Sequence, residues 1–482
     1  MRKAFLTNIL LLIFINALIK PLYLLGIDRN IQLITGTSQY GMFINILNFT
    51  IILQFISDFG LQNYTARFAS QQKNIITSGI KNLFGFKILL SIIYFFVIII
   101  CSRIWYGDQI NFWFVIHVAI NQLLISAMLF IRSNIAGLGL YQTDSLLSAL
   151  DRVILIIICG LFIITPILRP YITIELFVWF QSISIGLCII IGLIVLASKQ
   201  YQFNLQFLSI KDIKQITHIC LPFALIYLTS SIFYKGDTLL LERILPDGKN
   251  EVGIYAASMR LYEAASMFSL AFGTLLLAMF ARLHSDVNKL KLLFKTSMHL
   301  LLFITICISF TGYFYSKQII SLFYHTNDEY WSLILTFMML AFIPGSLNYI
   351  LSAYFQATHK EKLLLYIYIT IAIISILLNL IFIPSFKALG SSWTYLLCQA
   401  ILMFVQLWFI HKTFKFNVKQ YYKPIVFSGI SLVGFYLIHE FISINYMIQI
   451  VLSNVFILII AFYSKIFSIQ ELKQIWLEKH NS

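Results

Sequence analysis

Long apolar runs, each interrupted by a few polar or charged residues, recur almost from end to end of the chain. A helix that crosses about 30 Å of hydrocarbon needs about 20 mostly apolar residues. Fourteen segments meet that length, near 5–26, 38–60, 80–101, 110–133, 146–168, 174–197, 217–240, 252–277, 294–315, 331–357, 363–384, 389–411, 424–442 and 446–465. The polar intervals between them, the longest around 61–80, 198–216 and 278–293, are too short to be soluble domains. The pattern predicts an all-α polytopic membrane protein with about 14 transmembrane helices.

The spacing of the spans suggests a division. Six spans (1–199) are followed by a basic linker (200–216), six more spans (217–415), and a last pair with a tail (416–482). The two sets of six echo each other. SQYGMFINILNF (38–49) opens the second span and NEVGIYAASMRLYE (250–263) opens the eighth. Gly41/Phe43 and Gly253/Tyr255 occupy corresponding places, DFG (58–60) and AFG (271–273) follow, and Lys20 and Lys235 precede. Their shared order points to a two-lobe internal repeat.

Composition and charge fit this reading. Hydrophobic residues make up 60% of the 482 residues and charged residues only 11%, against about 25% charged in soluble domains. A net charge of +15 would suggest nucleic acid for a soluble protein. Here most of the basic residues fall at one set of span ends, which is the positive-inside pattern. It predicts cytoplasmic N- and C-termini and no nucleic-acid partner. Residues 1–19 have the look of a signal peptide, but Lys20-Pro21 follows without a small-residue cleavage site, so the segment reads as an uncleaved first span. The six cysteines lie in or beside apolar runs without a C-x-x-C and read as core residues.

The G-x-[FY] entry to span two, then DFGLQNYTAR, then FIRSNIAGLGLYQTDS (130–145) after span four, resemble the polysaccharide transporter family. These are Wzx-type flippases within the multidrug/oligosaccharidyl-lipid/polysaccharide exporter superfamily. The resemblance covers the whole chain and implies two six-helix lobes around a central cavity plus two C-terminal helices. It implies a lipid-linked oligosaccharide as cargo, membrane lipids and other polysaccharide assembly proteins as partners, and a bacterial inner-membrane location. No enzyme is expected: H-E-x-x-H, the P-loop and a complete dinucleotide fingerprint are missing from the sequence. With no ATPase module, transport would draw on an ion gradient, the membrane potential or downstream pull, and no cofactor beyond a coupling H⁺ or Na⁺ is implied.

The candidate site rests on charges the bilayer should reject. A Lys, Arg or Asp at mid-helix costs about 2.5–3.5 kcal/mol on insertion scales, so such residues face a cavity or a partner. Lys20, Lys235 and Arg260 are expected in the outer halves of their spans, about 4–10 Å from the midplane at about 1.5 Å per residue. There they would form a vestibule for an anionic, pyrophosphate-linked substrate; the alternative is snorkelling to the interface. Glu263, three residues after Arg260, either neutralises it or binds the coupling ion. Asp237 either pairs with Arg260 across helices or sits at an exit end with Glu242 and Arg243. Pro21, Pro222 and Pro344-Gly345 predict kinks, whereas Pro166 and Pro384 read as terminators. Tyr255 and Tyr262, seven apart, could stack on sugars. Asp58 near a helix C-terminus is electrostatically disfavoured. Span two is therefore expected to run past Gly60 to about Phe68, with Arg67 marking its basic end and Asp58 either gating the inner mouth or ion-paired. A multidrug exporter of the same superfamily is the close alternative. A membrane-embedded polymerase or glycosyltransferase is the distant one, because such enzymes need a larger outer loop carrying reactive side chains.

Overall fold

A computed structural model describes residues 18–62, 83–108, 110–199, 210–283, 286–414 and 419–464. Every regular element among them is helical. Twelve segments are long and apolar enough to cross a membrane. One of them, Glu361–Phe414, is two helices joined at Lys387, whose φ of 52° and ψ of −133° are not helical. With the first helix, only partly described, these make the fourteen spans that the hydrophobic pattern predicts.

They are labelled α1 (18–35), α2 (Thr37–Asp58), α3 (Leu83–Tyr106), α4 (Phe112–Gly137), α5 (Tyr141–Ile164), α6 (Ile174–Ser198), α7 (Ile210–Ile244) and α8 (Gly248–Arg282). There follow α9 (Val287–Phe314), α10 (Glu329–Ala357), α11 (361–386), α12 (388–414), α13 (Lys419–Phe441) and α14 (Tyr446–Tyr463). A short helix, Ser316–Tyr324, joins α9 to α10. Polar caps start the helices where the apolar runs begin: Asn111 accepts from Trp113 N, Thr173 from Leu176 N and Asn445 from Met447 N. Large apolar side chains such as Ile104, Ile164 and Phe462 lie exposed, as a lipid-facing surface requires, while Asn45, Gln54, Asn121 and Gln399 are buried.

Contacts group the chain into two compact units, Met1–Ala256 with Tyr368–Pro384, and Ala257–Ile367 with Ser385–Ser482. In the first, α4 packs on α6, α5 on α6, and α7 on α2. Met128, Ile131, Leu147, Cys188 and Leu196 form one apolar core there. In the second, α9 packs along α10. α13 and α14 close over α9 through Ile306, Phe310, Phe427, Phe435 and Ile457. Pro344 lies inside α10 without ending it. A Cβ on the following Gly345 would overlap the Tyr262 hydroxyl, so helix and phenol approach here only because the residue is glycine.

Two boundaries differ from expectation. Span one was expected to end near residue 26, but α1 continues through Thr35. Its Tyr23–Asp28 segment is π-helical, and Arg29 N bonds back to Leu24 O. The polar run Asp28-Arg29-Asn30, which reads as a loop in sequence, is a helical turn with Asp28 buried, only 2% exposed. Span two was expected to run unbroken past Gly60. Instead the helix stops at Asp58, Phe59 (φ 45°) and Gly60 (φ 75°) are left-handed, and helix resumes at Leu61. The cause is close packing on α7: a Cβ at Gly60 would lie 2.8 Å from Phe223 Cβ and 3.0 Å from Cys220 O. Arg67, the expected basic end, lies outside the described residues.

Candidate functional site

Lys20 lies on α1 some fifteen residues before its end at Thr35. That is about 20 Å along the helix at about 1.5 Å per residue, so Lys20 lies about four turns from that end of α1. The charges that act on it come from α4 and α5: Arg152, Arg132 and Asp151.

FIRSNIAGLGLYQTDS builds this arrangement. α4 ends at Gly137 and Gly139 takes φ 81°; Gly139 N bonds to Ala136 O and Leu140 N to Ile135 O. This glycine C-cap turns the chain straight into α5. The turn sets Arg132 against Asp144, Nε to Oδ1 2.8 Å. Asp144 also suits the first turn of α5, where the helix dipole favours an anion. About two turns further along, Arg152 Nε lies 3.4 Å from Asp151 Oδ2. The Arg152 guanidinium sits 4.5 Å from the centre of the Tyr23 ring, in the π-helical segment of α1. Three cations on three helices thus gather with the carboxylates Asp144 and Asp151 among the described residues. Two of the cations carry guanidinium forks, the geometry suited to phosphate oxygens.

The other predicted residues fall elsewhere. Lys235 is half-buried on α7, and its charge acts on Asp237. Asp237 is buried; it accepts from Thr238 N at 2.8 Å and from the Tyr255 hydroxyl. Tyr255 is therefore committed to a carboxylate and fully buried. Asp28 on α1 makes the matching arrangement, accepting from the Tyr40 hydroxyl at 2.5 Å. In the second unit, Arg260 Nη1 meets Glu263 Oε2 at 2.6 Å. Tyr262 is buried between Phe342 and Tyr395, edge-on to both rings. Packing of this kind leaves neither Tyr255 nor Tyr262 a free ring face for a sugar, so the sugar-stacking expectation does not hold.

Asp58 belongs to a polar knot where α2 breaks. At Gln54 the ladder is interrupted: Gln54 N bonds to Ile51 O, and the Thr50 carbonyl accepts instead from the Tyr94 hydroxyl at 3.1 Å. Gln54 Oε1 accepts from Tyr227 at 3.0 Å. Lys87, buried on α3, donates to Ser57 O at 2.6 Å and to Ser126 Oγ, and its charge is the one acting on Asp58. A broken membrane helix leaves carbonyls without helical partners, and side-chain donors supply them here. Sequence reasoning placed Lys87 at a basic span end and passed over Asp28. A lysine seven residues inside the basic margin of an apolar run, and an acid eight residues from a terminating Gly36, were the available signals.

Comparison with known proteins places these features. The family model described as "Polysaccharide biosynthesis protein" matches residues 5–284, and the model "Lipid II flippase MurJ" matches residues 152–464. Among solved structures, the lipid II flippase MurJ in an inward closed conformation aligns with a TM-score of 0.69 at 16% identity, covering 97% of this chain and 98% of that one. An inward-facing multidrug resistance MATE family transporter of the MOP superfamily gives 0.60 at 15% identity, over 84% of this chain and 94% of that one. A MOP superfamily transporter from Pyrococcus furiosus gives 0.57 at 15% identity, over 85% and 96%. No curated protein matches the chain in sequence.

Proposed function

The chain belongs to the polysaccharide biosynthesis protein family, within the MOP superfamily of transporters and flippases, and on that premise we propose that it flips a polyprenyl-diphosphate-linked oligosaccharide across a bacterial inner membrane by alternating access. The observation that carries this reading is the cluster of Lys20, Arg132 and Arg152. A site rich in cations within membrane-spanning helices is costly unless partners or a ligand repay it, and a diphosphate offers the charge and oxygen geometry that two guanidinium groups recognise. The cargo is an O-antigen, capsule or similar repeat unit, received from the cytoplasmic face, where both termini lie, and passed to other assembly proteins. Lys235 adds a further positive charge in the first unit, acting on Asp237. If a coupling ion is used, Asp237 is better placed to bind H⁺ or Na⁺ than Glu263, whose charge is matched by Arg260.

Reconstitution in vesicles with a labelled lipid-linked oligosaccharide tests this. The wild type should move the label across the bilayer, and Lys20→Ala/Arg152→Ala should slow it at least tenfold, the loss of roughly 1.4 kcal/mol or more of binding. Unchanged movement in that double variant would remove the cluster from the path. Likeness to the MATE fold keeps multidrug export as the second reading. Its signature would be efflux of organic cations by vesicles that leave the oligosaccharide lipid in place.

A further inference from the structure

Within the first unit, two helical hairpins, α1–α2 and the end of α7 with the start of α8, meet through a pair of glycines. A Cβ on Gly41 would overlap the carbonyl oxygen of Lys249 and come within 2.7 Å of Gly253 N. A Cβ on Gly253 would overlap the carbonyl oxygen of Thr37 and come within 2.7 Å of Thr37 Cγ2. The contact is reciprocal. Each glycine meets the carbonyl four residues before the other glycine, one helical turn upstream. This is the self-complementary geometry of a twofold interface, formed here by two internal repeats. Backbones this close need glycine on both sides and are held by weak Cα–H···O contacts.

Each hairpin is tied within itself by a buried phenol–carboxylate bond, Tyr40 to Asp28 in one and Tyr255 to Asp237 in the other. Near the outer end the hairpins meet through the glycine crossing and through Gln32 Nε2 to Gly253 O at 2.8 Å and Asn48 Nδ2 to Thr238 Oγ1 at 3.0 Å; further along, α2 and α7 stay in contact through Tyr227 and Gln54. Asn45 lies one turn below Gly41 on the same face of α2. It is fully buried, and neither of its amide atoms has a hydrogen-bond partner. Such a group is costly in this arrangement and would be satisfied by water in another.

We propose that the glycine crossing is a reversible seal: the outer mouth of the path is shut when Gly41 and Gly253 are docked, and opens when the two hairpins part and hydrate Asn45. Bonds inside each hairpin, and a crossing between them built on backbone contact, are what such a seal requires. The inference rests on the transport reading above, and its first test needs no substrate. Asn45→Cys is labelled with a membrane-impermeant maleimide from the outer side, alone and with Gly41→Ala or Gly253→Ala. Labelling should be slow in the single variant and at least tenfold faster with either glycine replaced. Gly160→Ala, where an added Cβ meets nothing within 4 Å, should leave the slow rate as it is. Separately, an Asn48→Cys/Thr238→Cys pair bridged by a short thiol cross-linker should stop flipping of the labelled oligosaccharide lipid, while the single-cysteine proteins treated alike continue. The seal is overturned by unchanged labelling in the inserted glycine variants, by failure of the pair to cross-link, or by a cross-linked protein that transports at full rate. If the glycine variants do not insert, the cross-linking result decides. Should wild-type protein move no oligosaccharide lipid, the transport reading fails while the labelling result still stands or falls alone.

Discussion

At the residue scale, buried charge is tolerated here only with specific company. Lys87 gives up water for the Ser57 carbonyl, the Ser126 hydroxyl and the field of Asp58. Removing one member of such a buried pair costs about 3–5 kcal/mol, because the other is left uncompensated. Lys87→Met should therefore lower the thermal unfolding midpoint of the purified protein sharply. The double variant Asp58→Asn/Lys87→Met should be less destabilised than the two single losses added together. Additive losses would show that Asp58 and Lys87 do not act as a pair. Tyr40→Phe, which removes a donor to buried Asp28, should cost about 1–3 kcal/mol, measured by the same unfolding assay.

At the element scale, helix interruptions carry more of the architecture than helix propensity does. α1 absorbs Pro21 and an added residue as a π segment, α2 breaks at Gln54 and again at Phe59-Gly60, and α10 tolerates Pro344. Each break is held by tertiary partners, which is why the breaks were poorly placed in sequence. DFG at 58–60 resembles AFG at 271–273, yet α8 runs straight through its copy and α2 stops. The difference lies in α7, whose Phe223 and Cys220 press on Gly60. Gly60→Ala combines a positive φ with that overlap and should destabilise by more than about 1 kcal/mol. Gly160→Ala, helical and unobstructed, should stabilise by about 0.5–1 kcal/mol. Comparing the two variants by thermal unfolding separates steric need from mere helix preference.

For the whole molecule, an even count of fourteen spans predicts both ends of the chain on one side of the membrane. Reporter fusions at the N- and C-termini should both be active on the cytoplasmic side, and opposite signals would remove one span from the count. The sequence alone determined the solvent and the number of spans, because both follow from local composition and the cost of burying polar groups in hydrocarbon. It also carried the echo between Gly41 and Gly253, visible before any contact was known. Which charges meet was decided only by tertiary structure. Lys20 was grouped in sequence with Lys235 and Arg260; the charges that act on it within the first unit are Arg152, Arg132 and Asp151, from α4 and α5. Asp28, Lys87 and the reciprocal glycine crossing were likewise out of reach. A side chain's partner across helices depends on register and rotation, and neither leaves a trace in hydropathy.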